Sequence, residues 1–202
     1  MINAVVLAAG ESRRMGKPKP LLRFGDTTFL EQIVSVLHLS RVDRTTVVLG
    51  AAAEAIREST DLSGVDIVVN RDYRKGQLSS LIAGLKSVPP QTQAILLCLV
   101  DNPFITTDVV NCVIGAFRKT QNPIVIPTSN NRRGHPALFS RTVFDALMNA
   151  PAEEGARYVI NANAGKVLEV GVRDGSILIG IDTPEDYRSH FGADPDTLLM
   201  DH

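Results

Sequence analysis

Four cationic side chains, Arg13, Arg14, Lys17 and Lys19, follow directly on a short apolar run from Asn3 to Ala8. Two aspartates far apart in the chain repeat one placement. Asp101 stands just past the apolar stretch Ala94 to Val100, and Asp182 just past Ile177 to Ile181. Clustered cations can neutralise an anion, and a carboxylate at the end of a buried strand is well placed to hold a hard metal ion. Asp101 with Pro103 is also an ordinary turn opening, although its position after the most apolar run favours the metal. Ala9 and Gly10 are too small to keep a ligand at a distance, and successive N–H groups in such a turn can point at an anion. These residue types suit a small anionic substrate.

Two familiar phosphate loops do not fit this stretch. A Walker A loop needs four residues between its glycines and then Lys followed by Ser or Thr; here five residues separate Gly10 from Gly16, and Pro18 follows Lys17. A dinucleotide fingerprint needs a second glycine where Ser12 stands, and Pro18 and Pro20 prevent the basic segment from continuing as helix. A second candidate wall is Asn70-Arg-Asp-Tyr-Arg-Lys-Gly-Gln-Leu-Ser-Ser, where Gly76 permits close backbone approach and Ser79 and Ser80 sit at the start of a helical pattern. Serine there also reads as an ordinary cap. His135, in Arg-Gly-His-Pro, is open to two readings, a phosphate contact or a structural imidazole packed beside Pro136. No Ser/His/Asp or Cys/His set suited to nucleophilic catalysis stands out.

The elements that must position these residues alternate. Strands are expected at Asn3–Ala8, Thr45–Leu49, Asp66–Asn70, Ala94–Val100, Ile124–Pro127 and from Ala137, with helices from Thr28, Ala51, Ser79, Thr107, Arg141 (to Asn149) and Glu154. Val167–Val172 and Ile177–Ile181 read as two late strands joined by Asp174-Gly175, a hairpin-type turn signal. Thr183-Pro-Glu-Asp supplies a cap, a first-turn proline and acidic residues for a last helix. The expected architecture is a three-layer α/β/α domain with a mostly parallel, Rossmann-like sheet over 1–192, with 193–202 lacking periodicity and expected to fray.

With 202 residues, 44% of them hydrophobic, the chain suits one sizeable core. A formal net charge of −1 argues against a nucleic-acid surface built on bulk charge. No apolar stretch approaches a membrane span and the chain opens on a strand rather than a signal peptide. Cys98 and Cys112 lack metal-ligand spacing and read as buried reduced thiols, which suits a cytoplasmic location.

Leu7-Ala-Ala-Gly-Glu-Ser-Arg-Arg-Met-Gly-Lys-Pro-Lys19 resembles the nucleotidyltransferases that make nucleotide-activated cofactors and sugars, most closely the molybdenum-cofactor cytidylyltransferase group. The resemblance runs in order to Tyr187. It implies nucleotide binding by Leu7, Ala8, Ala9 and Gly10, a base and ribose wall at Gly76 and Ser80, and triphosphate binding by the catalytic cations Arg14 and Lys19. It also implies Mg²⁺ on Asp101 and Asp182, and an acceptor beside His135. Two positions depart from the group's pattern: Val100 stands where Gly often precedes the Asp-x-Pro, and Gly180 replaces the first Asp of its Asp-x-Asp-Thr-Pro-Glu-Asp, which bears on how many carboxylates reach the metal. The implied reaction joins a nucleoside triphosphate, CTP before GTP, to a small phosphate-bearing acceptor such as molybdopterin. A molybdenum enzyme would receive the product. A guanylyl- or sugar-nucleotide transferase and a non-catalytic cofactor-binding chaperone are the alternatives.

Overall fold

The computed structural model describes residues 1–195. Its strands are β1 (Ile2–Ala8), β2 (Arg23–Phe24), β3 (Thr27–Thr28), β4 (Arg44–Leu49), β5 (Asp66–Val69), β6 (Ala94–Leu99), β7 (Ile124–Ser129), β8 (Arg132–Arg133), β9 (Ala137–Ser140) and β10 (Val167–Gly171). Its α-helices are α1 (Phe29–His38), α2 (Ala53–Ser59), α3 (Gln77–Ser87), α4 (Thr107–Thr120), α5 (Phe144–Met148), α6 (Ala156–Ala162) and α7 (Pro184–Phe191).

All seven residues of β1 are buried, because the strand lies mid-sheet and is covered on both faces. The strand order is β10–β7–β9–β6–β1–β4–β5, parallel except for β9, which runs antiparallel to β6 and β7; β8 pairs antiparallel with the end of β7. Alternation along β1 divides the core. Ala4, Val6 and Ala8 share a cluster with Phe29, Leu30 and Ile33 of α1 and with Val110 and Val113 of α4. Val5, Leu7 and Ala9 share the other with Leu78, Leu81 and Leu85 of α3 and Leu147 of α5. The result is three layers, helices on both faces of a mostly parallel sheet. From β1 the chain builds outward through β4 and β5, then returns to place β6 on the opposite side of β1. The strand order therefore reverses between β1 and β6, and ligands of open α/β sheets bind at the carboxyl edge of such a reversal.

Three expectations need correction. Ile177–Ile181 is not a strand and makes no hairpin: Asp174 accepts a hydrogen bond from Ser176 N and starts a 3₁₀ turn over Gly175–Leu178. The backbone groups of this segment pair elsewhere, with His135 N donating to Ile177 O and Ile181 N to Asp101 O. The expected helix Arg141–Asn149 begins as a 3₁₀ turn, Arg141–Val143, whose first N–H is held by Gln93 O, and becomes α-helical only at Phe144. Cys98 is buried as expected, but Cys112 is exposed. Helix α4 turns Val109, Val110, Val113, Ile114 and Phe117 inward, and residue 112 falls on the opposite side. Of the tail expected to fray, 196–202 lies outside the described residues.

Candidate active site

The first loop gains its shape from a few internal bonds. Met15 N and Gly16 N both donate to Ser12 O at 3.0 Å, and Met15 is buried in the core. Ser12 Oγ accepts from Lys19 N at 3.0 Å, after which Lys19–Leu21 make a single 3₁₀ turn that accommodates Pro20. Lys19 is thus delivered to the sheet edge as a largely buried cation, its side chain 11% exposed.

Two carboxylates meet it there. Lys19 Nζ donates to Asp182 Oδ1 at 2.5 Å and to Asp101 Oδ2 at 3.3 Å, and Arg14 lies 3.2 Å from Asp182 Oδ2. Asp101 follows β6, while Asp182 is held by the capping box of α7. In that box Asp186 Oδ2 accepts from Asp182 N at 3.0 Å and from Thr183 N at 2.8 Å. The two segments are tied directly, Ile181 N donating to Asp101 O at 2.8 Å and Asn102 Nδ2 to Ile179 O at 2.8 Å. Stacking of Tyr187 on Phe29 and Phe191, with a 2.9 Å bond from the Tyr187 hydroxyl to Arg23 O, anchors α7 to the core. The hydrogen bond from Lys19, opposed by burial and reinforced by the charges of Lys19 and Arg14, holds the Asp182 carboxyl below its usual range.

Convergence of two carboxylates on one cation tests the fit of a metal. An ion meeting both would still need further oxygens, since no cluster of three His, Cys, Asp or Glu suited to a metal exists among the described residues. That donor set suits Mg²⁺, which is commonly held by one or two carboxylates together with substrate phosphates and water. At Gly180, where the resembled group often has an Asp, an added Cβ would meet only Asn102 Nδ2 at 3.4 Å and Asp101 O at 4.0 Å.

Beside this cluster lies a cavity of about 390 Å³ at the carboxyl edge of β1 and β6. Leu7, Ala8, Ala9, Gly10, Arg14, Lys19, Gly76, Ser80, Asp101 and Asp182 all line it, so the structure brings together every expected site residue except His135. Gly76, at φ 97°, is the turn before α3 and allows that helix to begin at the pocket wall. Sequence reasoning missed Ser12, Tyr73 and Gln77 as lining residues. Only their position within the two candidate loops could have signalled them.

His135 lines a second cavity, about 870 Å³, which shares Leu7, Gln77 and Leu99 with the first. Its floor is apolar, with Leu78, Leu81, Leu97, Ile126 and Ile160, while Arg133, Arg157, Glu153 and Glu154 are also at its walls. Gly134 is packed so closely on the Ile177 carbonyl that a Cβ would overlap it, which fixes the neighbouring histidine. Burial pushes the His135 imidazole below its ordinary value, opposed by the charge of Asp101, and its buried Nδ1 has no hydrogen-bond partner among the described residues. His135 thus lines a bay that adjoins the first cavity along Leu7, Gln77 and Leu99.

Known proteins share this arrangement of chain. Rv0371c from Mycobacterium tuberculosis H37Rv is 34% identical, with 95% of this chain and 97% of that chain covered and a TM-score of 0.86. The same protein has been solved in complex with manganese, at 33% identity, 95% and 98% coverage and a TM-score of 0.81. Among curated proteins, the nicotine blue oxidoreductase of Paenarthrobacter nicotinovorans is 28% identical over 196 residues, 91% of this chain and 93% of its own. The molybdenum cofactor cytidylyltransferase of Escherichia coli K12 is 28% identical over 191 residues, 92% and 93% respectively. The family model of the MobA-like NTP transferase domain matches residues 4–167, and the chain belongs to that family of nucleotidyltransferases.

Proposed function

We propose that this protein transfers a cytidylyl group from CTP, with Mg²⁺, to a phosphate-bearing acceptor, molybdopterin, and releases pyrophosphate. The observation that carries this reading is Lys19 held between Asp101 and Asp182 at the mouth of the smaller cavity. Nucleotidyl transfer asks for alignment and charge neutralisation more than for covalent catalysis. An oxygen of the acceptor phosphate attacks the α-phosphorus, a new P–O bond forms, and the bond to the bridging oxygen breaks as pyrophosphate leaves with its electron pair. The attacking phosphate is already ionised at neutral pH, so no general base is needed.

Asp101 and Asp182 would hold the metal, whose chemistry when bound is to neutralise phosphate charge; the manganese complex of the M. tuberculosis relative supports a divalent ion. Lys19 and Arg14 orient the triphosphate and offset charge gathering on the leaving group. Leu7 to Gly10, Gly76 and Ser80 wall the nucleoside. The larger cavity receives the acceptor beside His135. The test is to incubate the protein with CTP, Mg²⁺ and molybdopterin and weigh the product: gain of one cytidine monophosphate unit supports the reading, and unmodified acceptor refutes it.

A second reading rests on the relative from P. nicotinovorans, an oxidoreductase by name whose match covers 91% of this chain against 92% for the cytidylyltransferase. Redox chemistry would not require Lys19 to stand between two carboxylates. The same incubation separates the two, since an oxidoreductase leaves CTP intact.

A further inference from the structure

Asn70 directly follows β5 and is itself 6% exposed, yet its side chain is committed at every atom that can bond. Its backbone N–H donates to Leu49 O at 2.8 Å, fixing it to the sheet. Asn70 Oδ1 accepts from Asp72 N at 2.9 Å, a partner that can only donate, so the amide's orientation is set. Both hydrogens of Nδ2 then go to hydroxyls, Ser79 Oγ at 2.9 Å and Ser80 Oγ at 3.0 Å.

The two serines differ in where their own hydrogens go. Ser79 Oγ accepts from Asn70 and passes its hydrogen to Gly76 O at 2.7 Å or Asp72 O at 3.0 Å, completing its bonding within the protein. Ser80 Oγ accepts in the same way, but its hydrogen has no acceptor among the described residues, although the residue is only 4% exposed. Ser80 lines the smaller cavity. With one lone pair engaged from behind and its hydrogen unspent, the Ser80 hydroxyl is free to donate into the cavity.

We propose that Asn70 is a positioning residue that turns Ser80 into a hydrogen-bond donor aimed at an acceptor atom of the nucleoside, on base or ribose, rather than at the phosphates. The inference rests on the nucleotide reading of this cavity and adds to it the polarity of one contact. It also separates Asn70 from a purely structural role, in which its bonds would only hold the turn before α3.

The test is isothermal titration calorimetry with Mg²⁺ and two probes, CTP and inorganic tripolyphosphate, on the whole chain. Removing one hydrogen bond of this kind changes affinity roughly two- to tenfold. Asn70→Ala and Ser80→Ala should each weaken CTP by that factor and leave tripolyphosphate unchanged, and the double variant should be no weaker than the weaker single. If Asn70→Ala does not fold, Asn70→Asp keeps the shape and the acceptor for Asp72 N but draws the Ser80 hydrogen backward; its ratio of CTP to tripolyphosphate affinity should fall by a similar factor. An unchanged CTP affinity, an equal loss for both probes, or additive losses in the double variant would each overturn the assignment. A parent protein that binds tripolyphosphate and CTP equally overturns it as well. One that binds neither probe refutes the nucleotide reading and the inference together.

Discussion

Lys19 Nζ lies 2.5 Å from Asp182 Oδ1, a pair separated by 163 positions in sequence and brought together at the carboxyl edge of β1 and β6. The same ammonium reaches Asp101 Oδ2, so one cation is shared by both carboxylates. In the proposed reaction Lys19 serves the triphosphate, and Lys19→Ala is expected to lower kcat by orders of magnitude, because it removes the largely buried cation that reaches both carboxylates, a place the exposed Arg14 does not fill. Steady-state rates at saturating CTP check this. A raised KM with normal kcat would instead assign Lys19 to ground-state binding.

The first loop, Asp101 and Asp182 were legible in the sequence because each combines a distinctive residue type with the end of an apolar run, whereas Gly76 and Ser80 were singled out by the Gly-x-x-x-Ser spacing of the group the chain resembles. Ile177–Ile181 misled for a physical reason. It is a short, nearly continuous apolar run of the kind that forms a buried strand, but its backbone groups are taken by His135 and Asp101, long-range partners that the pattern does not encode. Strand β9 is too short, and buried at all four positions, for its direction to be read from pattern. Asn70 was equally hidden: an asparagine before a turn is ordinary, and only its bonds to Ser79 and Ser80 distinguish it. The larger cavity was invisible for the same reason, since its walls come from α3, β6, β7 and the 152–161 segment.

Gly134→Ala should destabilise the protein by about 1–3 kcal/mol, the usual cost of forcing a methyl group into a packed site. The Cβ would overlap the Ile177 carbonyl, and relief requires the 175–178 turn to move. Urea unfolding with an unchanged slope and a lower midpoint is the expected observation.

His135 gives the stability a pH dependence of definite sign. Burial lowers its folded value below the ordinary 6.5, so the unfolded chain takes up the proton first as pH falls. Its contribution is complete above about pH 6.5 and is lost as pH drops through the lower, folded value. Melting temperatures from pH 7.5 downward should fall more steeply for the parent protein than for His135→Gln.

CTP should be preferred to GTP. Ala9 is buried, lines the smaller cavity and packs against Gly50, where a Cβ would overlap both Ala9 and Tyr73. A methyl group beside the nucleoside leaves less room for a two-ring base, and a methyl-sized difference is worth about 1–3 kcal/mol, so the preference in kcat/KM should be roughly tenfold to a few hundredfold. Ala9→Gly should narrow it. Initial rates for both triphosphates with one acceptor decide the matter.

The most direct measurement is pyrophosphate release by the parent protein and by Asp101→Asn, with CTP, Mg²⁺ and molybdopterin. Asn keeps the side-chain volume but removes one of the two negative charges that meet Lys19. Release by the parent and its loss in the variant are expected, with the circular dichroism spectrum unchanged. Equal release by both proteins, or none by the parent, would contradict the assignment of this cluster to nucleotidyl transfer.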